Sequence, residues 1–290
     1  MATLQPTGPN AEQITYWNEI AAPKWLALYD LIDAQIAPLG RRAVDAAALR
    51  AGERALDVGC GCGQSTFEIA QRVGPSGTVL GIDISAPMLE RARAGAAARA
   101  LRHVEFANAD AQTHQLPAAG FDACCSRFGV MFFSDPIAAF TNLHGAVRPG
   151  GRLSFVCWQR LQDNPWMFVP LGAAAQHIAL PTPPAPNAPG PFAFADAARV
   201  RDILTRAGFV EVALEPVQEM LLICGGAGVD TVADYLLQMG PAAAAIRQAD
   251  LDDASRTRIA GAVRDALGPF VTAAGVRMAG AAWIVTARRP

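Results

Sequence analysis

The chain has 290 residues, 52% of them apolar and 17% charged, which excludes a disordered or fibrous protein and leaves room for a substantial core. Its 24 basic and 26 acidic residues give a net charge of −2, without the basic excess that nucleic-acid binding needs. The opening MATLQPTGPNAEQ has neither a basic leader nor an apolar core, no apolar run reaches the ~18 residues of a membrane span, and six cysteines in this length do not form a disulfide framework, so a soluble cytoplasmic protein is expected.

Residues 11–47 carry helical patterning anchored by Trp17, Trp25, Leu26, Leu28, Leu31 and Ile32, with Pro38 expected to break it. Short apolar runs then alternate with helical stretches. Strands are expected at Ala55–Val58, Val79–Ile82, Val104–Phe106, Phe121–Ser126 and Leu153–Trp158, and helices at Ser65–Val73, Pro87–Ala100 and Pro136–Val147. Ser85 and Asp135 stand where N-caps belong, with Pro136 in the first helical position. Pro149-Gly150-Gly151 is expected to end the third helix before a buried strand.

Residues 160–192 include LPTPPAPNAPGPF, too rich in proline for regular structure, and are expected to form a surface loop. A helix at Ala195–Ala207, a strand at Val210–Val217, two or three helices within 227–277 and a last strand at Ala282–Ala287 complete the chain. Strands alternating with helices imply parallel pairing through right-handed crossovers. The expected fold is therefore α/β, a doubly wound, Rossmann-like, mostly parallel sheet of seven strands. One domain spans 1–290, with cap helices over 1–47, a core over 50–160, and insertions at 160–192 and 227–277.

Between the first strand and the first crossover helix lies LDVGCGCGQST, residues 56–66. Glycines there allow a tight turn and a close approach of ligand to backbone. A dinucleotide site wants Gly-x-Gly-x-x-Gly, but position 64 is Gln and the third glycine is Gly63; a triphosphate loop wants Gly-Lys-Ser/Thr, and lysine is absent. A metal clip through Cys60 and Cys62 would need further ligands. Cys124 and Cys125, adjacent on a strand, point to opposite faces and do not supply them. No metal is expected, and these cysteines read as small buried residues.

The same stretch, LDVGCGCG, resembles the first motif of the class I S-adenosylmethionine-dependent methyltransferases. VLGIDIS, with Asp83 twenty positions beyond Gly63, is similar to the second motif, and NADAQ at 108–112 to the adenine-binding one. FDACCSRFGVMFF resembles the fourth-strand motif, and LHGAVRPGGRLSFVCW the helix, turn and fifth strand that follow. The resemblance covers about residues 50–160 closely and the rest loosely, and its nearest flavour is the ubiquinone/menaquinone-biosynthesis type of small-molecule methyltransferase.

The resemblance implies S-adenosylmethionine as cofactor. It gives Asp83 the two ribose hydroxyls, Asp57 the support of the turn and the cofactor's ammonium end, and Asp110 the adenine amino group. Ala111 would line the adenine, and Ile84 and Met88 would pack on adenine and ribose. Gly59, Cys60, Gly61, Gln64 and Arg127 complete the implied contacts. The cofactor carries no phosphate, which agrees with a turn that lacks lysine.

Methyl transfer from a sulfonium needs chiefly alignment, worth ~7–11 kcal/mol, so no catalytic residue is assigned. Of His103, His114, His144 and His177, the last is the candidate general base for an acidic acceptor. Base amino groups are set aside because Asn/Asp-Pro-Pro-Tyr does not follow the fourth strand, and protein arginine because paired glutamates are missing there. A small molecule remains, with Tyr16, Trp17, Phe128, Trp158 and Trp166 as expected walls at the strands' carboxyl ends. Trp158 through Trp166 and His177 are expected to form a mobile wall over the methyl group. The rival reading is a cofactor-binding protein with a non-methylating role, a pericyclase-like enzyme or a scaffold subunit.

Overall fold

In the computed structural model, which describes residues 4–185 and 187–290, the sheet grows outward from a strand with no exposed side once it has begun. β1 (Arg54–Val58) is buried from Ala55 onward, as a strand flanked on both edges and covered on both faces must be. The first three residues of the opening segment and Pro186 of the proline run lie outside the described residues.

Ahead of β1, residues 11–46 form α1 (Ala11–Thr15), a single π-helical turn at Tyr16–Ile20, α2 (Ala21–Ala27) and α3 (Tyr29–Ala46). The crossover units follow as α4 (Gln64–Val73), β2 (Thr78–Asp83), α5 (Ala86–Ala98), β3 (Val104–Asn108), β4 (Phe121–Arg127), α6 (Pro136–Ala146) and β5 (Val147–Trp158). Beyond β5 come α7 (Pro165–Ala175), α8 (Ala197–Arg206) and β6 (Val210–Leu222). Three helices, α9 (Val229–Leu236), α10 (Gly240–Gln248) and α11 (Asp253–Leu267), precede the two-residue β7 (Val271–Thr272) and β8 (Gly275–Arg288). The strand order is β3-β2-β1-β4-β5-β8-β6, with β7 folded back on β8 as a short hairpin. β1 through β5 pair in parallel, while β8 runs antiparallel to both β5 and β6. Seven strands cross the sheet as expected, and β7 adds an eighth. Among the described residues no helix is long and apolar enough to cross a membrane.

Several local expectations are corrected. Pro38 lies inside α3 rather than breaking it. Ile32, Ile36, Leu39 and Ala43 on that helix are buried, and packing a full apolar face outweighs one missing backbone donor. The helical segment breaks instead at Leu28 (φ −106°, ψ 10°). Ser85 holds the N-cap position of α5 as expected, but its hydroxyl donates to the Trp17 carbonyl at 2.8 Å, and it is Asn18 Oδ1 that accepts from Ala86 N at 3.0 Å. Asp135 does cap α6, accepting from Ala138 N at 3.0 Å. Pro149-Gly150-Gly151 lies within β5, which starts directly after α6, and Gly150 at φ +71° makes the bend. β6 and β8 run to 13 and 14 residues, well beyond the expected spans.

The largest departure is α7, in what was expected to be loop. Pro165 stands in its first turn, and Trp166, Met167, Ala173 and Ala174 are buried. Its residues PWMFVPLGAAA are apolar nearly all round, so no amphipathic period marks them as helix. Asn164, fully buried, fastens the start of α7 to β8: its amide donates to Ala281 O and Arg160 O at 3.1 Å and accepts from Ala281 N at 2.9 Å. Asn164→Ala leaves Ala281 N without its acceptor, while Ala281 O and Arg160 O keep the Gln159 and Asp163 amides, and is expected to destabilise the fold by about 2 kcal/mol, measurable by urea unfolding; an unchanged midpoint would remove the fastening role.

β6 runs parallel to β5 because both oppose β8, so the segments after β5 and after β6 leave the sheet at the same end. There α7 packs on α10 and α11, and the two insertions form one cap beside the N-terminal helices.

Candidate cofactor site

The turn after β1 is built from three left-handed glycines, Gly59 (φ +64°), Gly61 (φ +52°) and Gly63 (φ +89°). Gly59 lies against Gly129: a Cβ on Gly59 would come within 2.7 Å of the Gly129 Cα. Gly61 is different, since a Cβ there meets only Met88 Sδ at 3.8 Å. The turn's amides point inward. Gly59 N and Cys60 N donate to Ile82 O at 2.9 and 3.1 Å, Gly63 N to Cys60 O at 2.9 Å, and Gly61 N to Asp83 Oδ2 at 2.7 Å. These four donors are therefore not offered to a ligand, contrary to the expected backbone cradle. What the turn presents is a shape and, through Asp83, an acceptor.

Asp83 closes β2. Its Oδ1 accepts from Ser85 N at 2.8 Å and its Oδ2 from Gly61 N. A carboxylate has about four acceptor positions, so one remains on each oxygen, the number a vicinal diol needs. Burial raises the Asp83 carboxyl above its ordinary range, against the lowering effect of those backbone bonds.

Asp57 is completely buried. Its Oδ2 accepts from Ser65 Oγ at 2.8 Å and Thr66 Oγ1 at 2.6 Å, whereas Oδ1 has no partner among the described residues. Burial pushes its carboxyl up to about 6, opposed by the Thr66 and Ser65 hydroxyls. An orphaned carboxylate oxygen under the turn is what an ammonium group would satisfy. The free acceptor positions of Asp57 and Asp83 thus fit the ammonium and ribose hydroxyls of S-adenosylmethionine.

Asp110 is buried and already engaged. Asn10 Nδ2 donates to its Oδ1 and Oδ2 at 2.9 and 3.0 Å, and Gln112 N to its Oδ1 at 2.9 Å. Asn10 also accepts from Ser134 N at 2.9 Å. The expected partner of the adenine amino group is thus the anchor that draws the N-terminal segment across the ends of β2 to β4. Asn18 continues that strap, donating to Ile84 O at 3.0 Å.

Gln64 and Arg127 converge on a residue not singled out from the sequence: Gln64 Nε2 and Arg127 Nη1 donate to the two oxygens of Asp33 on α3, at 2.9 and 2.7 Å. Met88 packs with Cys62 and Tyr29 beside Trp17 and Trp25. Ala111 lies in the main core. Cys60 turns away from the site into a cluster with Phe67, Leu89 and Phe106. Cys124 and Cys125 belong to different clusters, as opposite faces of a strand require. All six cysteines are free and buried, and among the described residues no metal-binding group of three or more is present.

The expected aromatic walls split into two groups. Tyr16 meets Trp17 edge to face, and Trp17 meets Phe132 at 5.1 Å. Separately, Phe128 stacks on Trp158 at 4.2 Å, and Trp158 contacts Trp166 at 5.5 Å. Phe128 holds φ +59°, a strained conformation for a bulky residue that tends to mark functional sites. The histidines stay outside: His114 and His177 are exposed, His103 contacts Ala70 O, and His144 lies edge-on to Phe209. His177 follows α7 on the surface and is not placed as a base.

Residues 55–151 match the family described as "Methyltransferase domain". The chain is 39% identical over 128 residues to aklanonic acid methyltransferase DauC from Streptomyces sp. (strain C5), covering 44% of this chain and 58% of that protein. It is 37% identical over 186 residues to nocamycin O-methyltransferase from Saccharothrix syringae, covering 60% and 65%. These matches span less than two thirds of either relative. Demethylmenaquinone methyltransferases are also among its relatives. The solved structure of the [4+2]-cyclase SpnF superposes over 100% of this chain and 99% of its own, with a TM-score of 0.57 at 20% identity, which is a likeness of fold. The match to the methyltransferase domain thus falls on residues 55–151, the stretch that holds the glycine turn, Asp57 and Asp83.

Proposed function

We propose that this protein transfers a methyl group from S-adenosylmethionine to a small-molecule acceptor. The observation that carries the reading is Asp83, with one acceptor position left on each oxygen, beside a turn whose amides are used internally. When bound, the cofactor's sulfonium supplies an activated methyl group. Asp83 accepts from the ribose hydroxyls, and the free Oδ1 of Asp57 receives the ammonium. Asp110, through Asn10, holds the N-terminal strap over the adenine. The cap formed by α7 and α9–α11 excludes water and aligns the acceptor, which is most of what this reaction asks of a protein. Residues 1–290 act as one unit in this reading, and the free, buried cysteines suit a reducing cytoplasmic compartment.

Asp83→Ala should weaken S-adenosylhomocysteine binding about 10- to 150-fold, the range of a hydrogen bond to a charged group, and Asp83→Asn by less. Calorimetry on the three proteins checks this, and equal affinities would take Asp83 out of the site. Because a cyclase shares the fold, turnover is the deciding test. Release of S-adenosylhomocysteine with a panel of hydroxylated small molecules supports methyl transfer; tight binding without turnover across the panel favours the non-methylating alternative.

A further inference from the structure

Asp110, to which the resemblance gives the adenine amino group, has no acceptor position left for it. Asn10 Nδ2 and Gln112 N donate to its Oδ1, each at 2.9 Å, and Asn10 Nδ2 and Thr113 Oγ1 to its Oδ2 at 3.0 and 3.3 Å. A carboxylate has about four such positions, and all are taken. The strap that uses up Asp110 brings an acceptor of its own. Gln13 on α1 is only partly buried, yet its Oε1 is shut off from solvent and has no partner among the described residues. An acceptor held inside in this way forfeits its bond to water and gains none in return.

The helical rows of the strap place Gln13. Residues three and four apart share a helix face, so Gln13 stands in one row with Asn10 before it and Trp17 after it. Asn10 is fixed on Asp110, just beyond β3. Trp17 packs against the cluster of Met88, Cys62 and Tyr29, and its carbonyl accepts from Ser85 Oγ, just beyond β2, at 2.8 Å. Asn18 fastens the same end, donating to Ile84 O at 3.0 Å. Ile14, next to Gln13, is 3% exposed. The strap is thus pinned beside Asp110 at one end and beside Ile84 and Met88 at the other, with Gln13 between the pins. Asp110, Ile84 and Met88 are the residues among which the resemblance puts the adenine.

We propose that Gln13 reads the base of the cofactor: its Oε1 accepts from the adenine 6-amino group, while Asp110 holds the strap that carries Gln13. This rests on the methyltransferase reading above. The amino group donates and the amide oxygen accepts, so one bond satisfies both buried groups. A purine without the amino group leaves Oε1 unpaired, and a site built to make a hydrogen bond rejects a ligand that cannot make it.

The test is calorimetric titration of the full chain with S-adenosylhomocysteine and with its analogue in which hydrogen replaces the adenine 6-amino group. The wild type should bind S-adenosylhomocysteine about tenfold more tightly than the analogue. Gln13→Met, which keeps the length of the side chain and loses the acceptor, should bring S-adenosylhomocysteine down to the level of the analogue. It should leave the affinity for the analogue unchanged and melt no lower than the parent. Gln13→Glu keeps an acceptor and should keep the preference, a rescue that a merely structural side chain would not show. Gln13→Ala takes the place of Gln13→Met if that variant does not fold. A wild type indifferent to the amino group overturns the inference, as does a Gln13→Met or Gln13→Ala protein that retains the preference. A wild type that binds neither ligand overturns the methyltransferase reading itself, a result distinct from loss of the preference alone.

Discussion

Gly59→Ala is expected to destabilise the folded protein by about 3 kcal/mol, whereas Gly61→Ala should cost only the roughly 1–2 kcal/mol of its left-handed backbone and lose cofactor affinity besides. Both residues are left-handed glycines in one turn, and a non-glycine residue in that region costs roughly 1–2 kcal/mol. At Gly59 a second penalty applies, because the new Cβ would lie 2.7 Å from the Gly129 Cα. Backbone meets backbone there, so relief requires moving the end of β1 or the start of the β4 loop. Gly129 is equally confined, its own Cβ position lying 2.7 Å from Val58 O.

At Gly61 the nearest atom is Met88 Sδ at 3.8 Å, so the methyl group fits the protein alone. It projects beside Asp83, where the ribose is proposed to sit, and Gly61→Val would project further. Urea unfolding and calorimetry with S-adenosylhomocysteine separate the two effects. A Gly61→Ala protein with full affinity would mean that the cofactor does not approach this turn, and a Gly59→Ala protein of parental stability would contradict the backbone contact.

The second large effect is a pH dependence centred on Asp57. Its carboxyl stands near 6 in the folded chain against an ordinary 3.8, a gap that corresponds to about 3 kcal/mol at 1.36 kcal/mol per unit. Between those values the unfolded chain has released this proton and the folded chain still holds it. Folding stability from this group therefore falls as pH rises from about 4 to about 6 and is level above that. Asp57→Asn should remove that slope and unfold at higher urea than the parent at pH 7.

Cofactor binding should show the opposite trend. Only the ionised carboxylate pairs with an ammonium, so wild-type affinity for S-adenosylmethionine should rise about tenfold from pH 5 to pH 7. In Asp57→Asn it should be weaker and flat over the same range. Arg127 favours ionisation and Asp83 opposes it, so an Arg127 variant should move the wild-type midpoint upward. A wild-type affinity that ignores pH across this range would detach the ammonium from Asp57.

The parallel half of the sheet, the glycine turn and the places of Asp57 and Asp83 are legible in the residues alone. Each of these depends on contiguous residues: an apolar run, a turn that only glycine can make, and an acid one strand further on. The methyltransferase resemblance rests on the same local stretches. Tertiary structure alone decided what stands opposite them. Asn10 reaches Asp110 across 100 residues and Arg127 reaches Asp33 across 94, and a hydrogen bond between residues so distant leaves no periodicity or spacing to read. The inward-facing amides of Gly59, Cys60 and Gly61 were equally hidden, because their partners lie on β2. Pro38 within α3 and the all-apolar α7 defeated local rules for a related reason: once a helix is buried on most sides, packing outweighs both a missing donor and the lack of an amphipathic stripe.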